Sequence, residues 1–349
     1  MSPSPISPSS MSTARRHDRT ALVTGVTGQD GVYLARLLAD EGAQVIGTVR
    51  PGTANGPRIG AYLPDIVVVE LDIRDSDGLR RVLSDHRPDE VYNLAALTSV
   101  GGSWDEPDAV AATNAAAVSG LLNAVVDHRD ETSQDTHVFH ASSATVSGGD
   151  DSPYAVAKAA AEVAVAEFRD THGLHACFAK LHNHESPLRG PQFVTRKITA
   201  AVARIAGGDT EPLKLGNVDV RRDWGFAGDY VDAMRRMVRH DEPVDLEIGT
   251  GTDHSLRDLI TVAFTAAEID NAWEHIELDT DLMRPTDAKL LVADPRPAQA
   301  TIGWTARVPF DEVIAGMVIA DIARRKTGVA EDLRYLRPTP STYARADAL

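Results

Sequence analysis

Ala21-Leu-Val-Thr-Gly-Val-Thr-Gly-Gln-Asp-Gly31 is a short apolar strand running into three glycines spaced GxxGxxG. A helical pattern follows at once over 30–39, with Val32, Leu34, Leu37 and Leu38 on its inward face. Glycines in such a turn allow a tight bend and close approach of the backbone. The helix start then offers unpaired N–H groups and a partial positive charge to a pyrophosphate. Strand, turn and helix together give the triplet its meaning. Gly25, Thr27, Gly28, Gln29, Asp30 and Gly31 are therefore expected to line a dinucleotide.

Outward from this turn the first half alternates. Strands are expected at 44–49, 66–71, 90–93, 136–141 and 174–181, and helices at 77–84, 109–126 and 154–171. That alternation predicts βαβ units and an α/β fold, a doubly wound parallel sheet (Rossmann). Pro187, Gly190 and Pro191 break the pattern. A helix at 195–206, a strand at 245–248 that rejoins the sheet and a helix at 256–267 are expected beyond them. The predicted division is a tail at 1–19 and a dinucleotide-binding domain at 20–182 with a sheet-returning segment near 226–262. A smaller C-terminal substrate-binding domain takes 183–225 and 263–333, and a loose tail 334–349.

The chain has 349 residues, 43% hydrophobic and 25% charged, which suits a globular protein of about two domains. Aromatics are only 5%, so the core must be aliphatic. Lys and Arg number 35 against 51 Asp and Glu, a net charge of -16. A field of that sign repels nucleic acid and anionic lipid. No apolar run is expected to cross a membrane. Cys177 is the lone cysteine, which excludes an internal disulfide and a cysteine metal cage, and points to a reducing, cytoplasmic setting. His182 and His184 lack a third ligand, so no metal is expected.

Cofactor choice falls to the end of the second strand, where an acidic residue would hold the ribose 2′-hydroxyl of NAD. Val49-Arg50-Pro51 stands there instead, and Arg50 can pair with a 2′-phosphate, favouring NADP over NAD. Asp72 and Ile73 suit an adenine edge, and Leu94, Ala95 and Ala96 give a small-residue path along the cofactor. Tyr154-Ala-Val-Ala-Lys158 opens a long helix and puts phenol and ammonium on one face. Lys158 is expected to depress the phenol pKa and make Tyr154 a usable base. Ser143 would hold the same hydroxyl. The set describes hydride removal from a secondary alcohol, or its reverse.

On these residues the chain resembles the extended short-chain dehydrogenase/reductases, and within them the GDP-mannose 4,6-dehydratase family. The resemblance is carried by Gly25–Gly31, Val91-Tyr-Asn-Leu-Ala-Ala96, Ser152-Pro-Tyr-Ala-Val-Ala-Lys158, Asn183-His-Glu-Ser-Pro187 and Phe193-Val-Thr-Arg-Lys-Ile198. Arg222-Asp-Trp-Gly225, Thr250-Gly-Thr-Asp-His-Ser255 and Arg284-Pro-Thr286 continue it in order. It implies NADP, a GDP-sugar substrate, and oxidation at C4, loss of water across C5 and C6, and hydride return to C6. It also implies substrate contacts from Ser103, Asn183, His184, Glu185, Val194, Lys197, Gly216, Arg222 and Arg284. Pairing of the two long helices implies a homodimer or homotetramer.

The run Ser142-Ser-Ala-Thr-Val-Ser-Gly148 departs from that family, which carries a glutamate acid/base where Thr145 stands. It looks like the corresponding run of UDP-galactose 4-epimerase. The connection to Ser152 is short, and Pro51 replaces a usual second arginine. Three readings stay open. One is a GDP-hexose dehydratase with relocated acid/base groups, for which Asp150, Asp151 or His182 are candidates, including one acting at another carbon pair such as C5–C6. The others are a 4-epimerase or 4-keto reductase, and a non-enzymatic NADP sensor.

Overall fold

A computed structural model describes residues 19–53, 56–282 and 290–336. The tail expected before residue 19, Arg284 and the last residues from 337 lie outside these.

The chain lays down β1 (Thr20–Thr24), α1 (Gln29–Asp40), β2 (Gln44–Val49), α2 (Gly56–Tyr62), β3 (Val67–Glu70), α3 (Ser76–His86) and β4 (Glu90–Asn93). There follow α4 (Pro107–Ala111), α5 (Ala117–Thr132), β5 (His137–Ser143), α6 (Pro153–His172) and β6 (Ala176–Leu181). It leaves the sheet through β7 (Asn183–Glu185), α7 (Val194–Ala206), β8 (Leu213–Leu215), β9 (Arg221–Phe226) and α8 (Ala227–Val238), then returns with β10 (Leu246–Ile248). Among the described residues the main sheet has seven strands in the order β10-β6-β5-β4-β1-β2-β3, all parallel. The alternation predicts this α/β architecture, and the structure has it.

Parallel strands need cover on both faces, which is why these segments read as apolar runs. Val32, Leu34 and Leu38 of α1 and Tyr230 and Met234 of α8 pack on one face. Leu79 of α3, Leu121 and Leu122 of α5 and Val165 of α6 pack on the other. Ser152 caps α6 by accepting from the Ala155 N–H (3.2 Å), with Pro153 in its first turn. The sequence reading expects no membrane-length apolar segment. One helical stretch, Pro107–Thr132, does pass by length and composition. Half of it is buried, with Val118, Leu121 and Val125 in the core, and a π-helical turn interrupts it at Ala112–Ala116.

The second lobe centres on β9. It pairs in parallel with β7, antiparallel with β11 (Asp253–Ser255) and in parallel with a short strand, Leu290–Leu291. After β11 come α9 (Leu256–Ala266), β12 (Ile276–Leu278), the strand just named as β13, α10 (Arg296–Ile302) and α11 (Phe310–Thr327). Two boundaries differ from expectation. Helix α9, assigned with the sheet-returning segment, packs on α7 and α11 of the second lobe. Residues 334–336 are no loose tail: Tyr335 is buried under Arg324, whose guanidinium lies 4.2 Å from its ring centre.

Candidate active site

The strand order reverses between β1 and β4, and ligands of such sheets bind at that switch point, outside the strand C-termini. Gly25 leaves β1 there with φ +68°, a conformation that disfavours side chains. A Cβ on it would come within 3.0 Å of the Ala95 backbone beyond β4. A Cβ on Gly31 would sit 2.4 Å from the Gly25 carbonyl oxygen. No side chain caps α1, so the N–H groups of its first turn remain for an anionic ligand. Thr24 Oγ1 accepts from the N–H groups of Leu94 and Ala95, both at 3.1 Å, and fixes the opposite wall. This cradle fits a dinucleotide.

Gln29 and Asp30 have another task. The Gln29 side chain donates to the His184 carbonyl (3.0 Å) and accepts from Ser186 (2.8 Å). Asp30 Oδ2 bonds His184 Nε2 at 2.9 Å. The sequence expects these two on the cofactor and His184 on the substrate. In the protein alone their side chains join the glycine turn to the 183–186 segment, which leaves their backbone N–H groups at the cradle. Burial pushes the Asp30 pKa up, but the His184 charge and hydrogen bond overcome it and hold Asp30 below the usual carboxylate range. Burial likewise pushes His184 down, and Asp30 wins and raises it. Both shifts favour the ionised form of the pair.

At the adenosine end, Arg50 is exposed beyond β2. The Asp72 carboxylate is taken by Arg74, which donates from Nε (2.9 Å) and Nη2 (2.5 Å) and holds its pKa down to about 2. The Asp72–Ile73 backbone is what remains for an adenine.

The reacting side chains come from β5 and α6. Lys158 Nζ donates to the Ala141 carbonyl (2.7 Å) and lies 5.9 Å from the Tyr154 ring centre. Burial pushes Lys158 down to about 8, with Glu162 opposing. Tyr154 is buried, and burial raises its pKa, against the pull of the Ser143 hydroxyl and the Arg189 charge. The sequence expects Lys158 to depress the phenol. In the protein alone burial raises the phenol pKa instead, and the lowering pull comes from Ser143 and Arg189. Thr145 Oγ1 bonds Ser143 Oγ at 3.0 Å, and its N–H donates to the same oxygen (3.3 Å). The three proposed replacement acids fare differently. His182 is buried against Glu247 (2.6 Å), Asp150 accepts from the Ser152 N–H (2.8 Å), and Asp151 is exposed.

On the substrate side Asn183 and Val194 are exposed at the edge of the second lobe, and Lys197 donates to the Lys214 carbonyl (2.9 Å) beside β8, near Gly216. Arg222 lies on β9, next to Asp223, which is buried and accepts from the N–H groups of Thr250 and Gly251. Ser103 points inward and donates to the Val100 carbonyl (2.6 Å). Glu185 is buried, accepts from the Thr195 hydroxyl (2.6 Å) and is ion-paired with Arg189 (3.1 Å), and burial raises its pKa. Both side chains are thus engaged by protein groups. Arg284 lies outside the described residues. Among the described residues no cluster of three or more His, Cys, Asp or Glu could hold a metal ion. A cavity of about 610 Å³ lined by Trp224, His254 and Phe310 contains none of the reacting side chains.

Sequence reasoning misses three residues beside the reacting side chains. Asn114, in the π-helical turn, accepts from the Leu97 N–H (2.9 Å) and donates to the Leu97 carbonyl (2.8 Å), fixing the strand exit beside the site. An asparagine inside an alanine run was its signal. Glu162 accepts from Ser142 at 2.5 Å below Lys158. Arg189 stacks on Phe193 (3.6 Å) and reaches Tyr154 with its charge.

Sheet order, glycine turn and the Ser143–Tyr154–Lys158 set define a Rossmann enzyme of the short-chain dehydrogenase type. The family model for GDP-mannose 4,6 dehydratase matches residues 22–317. GDP-mannose 4,6 dehydratase 1 of Arabidopsis thaliana is 37% identical over 336 residues, 90% of this chain and 93% of that protein. The chain belongs to the GDP-mannose 4,6-dehydratase family, nucleotide-sugar dehydratases of the lyase class. A putative epimerase from Burkholderia cenocepacia is similar in structure, with TM-score 0.76, 27% identity, and coverage of 88% of this chain and 99% of that one. RMD from Pseudomonas aeruginosa, solved with NADPH, has TM-score 0.73 and 22% identity, covering 88% and 98%, and shares the fold.

Proposed function

We propose that this chain is an NADP-dependent GDP-hexose dehydratase that begins by oxidising a sugar carbinol carbon. The buried Tyr154, with Ser143 beside it and Lys158 one turn along α6, carries the reading. Gly25–Gly31 and Ala95 would hold the dinucleotide and Arg50 its 2′-phosphate. When bound, NADP supplies a hydride acceptor and later a donor. Tyr154 takes the proton of the carbinol hydroxyl and Ser143 holds the same oxygen. Lys158, charged below about 8, favours the tyrosinate. A ketone at C4 then makes the neighbouring C5–H acidic enough to lose.

Position 145 sets the pace of that loss. A threonine hydroxyl takes no carbon-bound proton near neutral pH. Elimination is therefore the slow step here. One observation favours a second reading. Thr145 is bonded to Ser143 and the 142–148 run carries no carboxyl group, which suits the hydride transfers of a 4-epimerase or 4-keto reductase. GDP-mannose deuterated at C4 separates the two. Dehydration moves the label to C6 of a product lighter by water. Epimerisation leaves it on an inverted C4. A label that never moves, with no product, rejects the dehydratase and the epimerase on GDP-mannose and leaves the 4-keto reductase, which acts on a 4-keto sugar.

The proposed assembly is a homodimer or homotetramer paired through the long helices, where Val156 and Val163 of α6 are exposed apolar residues seven apart. The buried Cys177 thiol suits a reducing compartment and supports the cytoplasmic reading.

A further inference from the structure

A second arginine reaches the corner where the glycine turn meets the end of β2. Arg58, on α2, donates from Nη1 to the Thr27 carbonyl (2.8 Å) and from Nε to Glu331 Oε1 (3.1 Å). Glu331 also accepts from the Tyr62 hydroxyl (2.8 Å), and the Asp332 N–H donates to that hydroxyl (3.2 Å). The segment carrying Glu331 is anchored beyond it, because Tyr335 is buried and the Tyr33 hydroxyl donates to the Leu336 carbonyl (3.2 Å). The turn itself is tied to β2, since the Val26 N–H donates to the Thr48 carbonyl (3.2 Å). Arg50 lies two residues past Thr48 and is exposed. Arg58 of α2 thus holds the glycine turn, and Arg50 stands at the end of the strand to which that turn is tied.

In a dinucleotide-binding sheet this corner holds the adenosine ribose. A carboxylate there selects a free 2′-hydroxyl. A pair of guanidinium forks selects a phosphate, because each can offer parallel N–H donors to its oxygens. The Arg58 side chain is 25% exposed, so it meets solvent as well as Thr27 and Glu331. Its clamp fixes the fork in advance, which lowers the ordering cost of binding.

We propose that Arg58 is a specificity-determining residue for the adenosine 2′-phosphate, acting with Arg50, and that Glu331 is the positioning residue that aims it. A C-terminal segment thereby tunes cofactor choice. The assignment rests on the NADP reading above.

Calorimetric titration of the full chain with 2′,5′-ADP and with 5′-ADP tests it without turnover. The wild type binds 2′,5′-ADP more tightly. Arg58→Gln keeps a donor for Thr27 and loses the charge, so it weakens 2′,5′-ADP about tenfold and 5′-ADP less than about twofold. Arg58→Lys recovers part of the loss. Glu331→Gln weakens 2′,5′-ADP by a smaller factor, again selectively. Equal weakening of both ligands by Arg58→Gln, or of neither, overturns the assignment and leaves NADP use intact. A wild type that binds the two ligands equally overturns the NADP reading, and this assignment with it.

Discussion

Asp30→Asn probes the joint between the glycine turn and the 183–186 segment. Asp30 and His184 meet at 2.9 Å with side-chain exposures of 23% and 10%. The second His184 nitrogen is bonded to the His182 carbonyl (2.7 Å), so the ring has no other place to turn. Breaking a fully buried ion pair costs about 3–5 kcal/mol. This pair is partly exposed and asparagine keeps one hydrogen bond, so the expected loss is about 2 kcal/mol. Its pH dependence is the sharper mark. Asp30 is lowered, so its share is present above the ordinary carboxylate pKa and is lost as pH falls through the lowered value. His184 is raised, so its share is complete below the ordinary imidazole pKa and is lost as pH rises through the raised value. The coupling between Asp30→Asn and His184→Gln, from a double-mutant cycle in urea, should peak between about pH 4 and 6.5 and fade on either side. A coupling that is flat with pH, or below about 0.3 kcal/mol throughout, refutes the ionised joint.

Tyr154→Phe should lower turnover by about a hundred- to ten-thousand-fold while cofactor affinity measured by fluorescence holds. Thr145→Glu should speed release of the C5 proton into solvent, read by deuterium exchange, if elimination is slow for lack of a carboxylate. Rates should fall above pH about 8 as Lys158 loses its proton, and Glu162→Gln should move that limb lower, since Glu162 holds the ammonium up. Gly25→Ala should strain the turn by about 1–2 kcal/mol and displace Ala95, weakening the dinucleotide in a binding titration.

The first half of the fold was legible because its signals are local. Strands β2 and β4 fall where apolar runs end at Arg50-Pro51 and Asn93, and α6 begins at a serine cap before Pro153. The second half was less so. Helix α11 went unread because its apolar residues spread around it: Ile319 and Ile322 lie off the face that buries Val313, Ile314 and Met317. Strand β9 carries two arginines and an aspartate, and pairing with β7 and β11 makes it a strand. At the site the residue types were visible and their partners were not. Gln29 and Asp30 reach residues more than 150 positions away, and no periodicity reports such a pairing. Arg58 and Glu331 were missed for the same reason.

Incubating GDP-mannose with the purified chain and NADP, followed by mass spectrometry, tests the central claim most directly. The account predicts a GDP-sugar lighter by one water, with NADP unconsumed at the end. A GDP-sugar of unchanged mass and inverted C4 would contradict it and make the chain an epimerase.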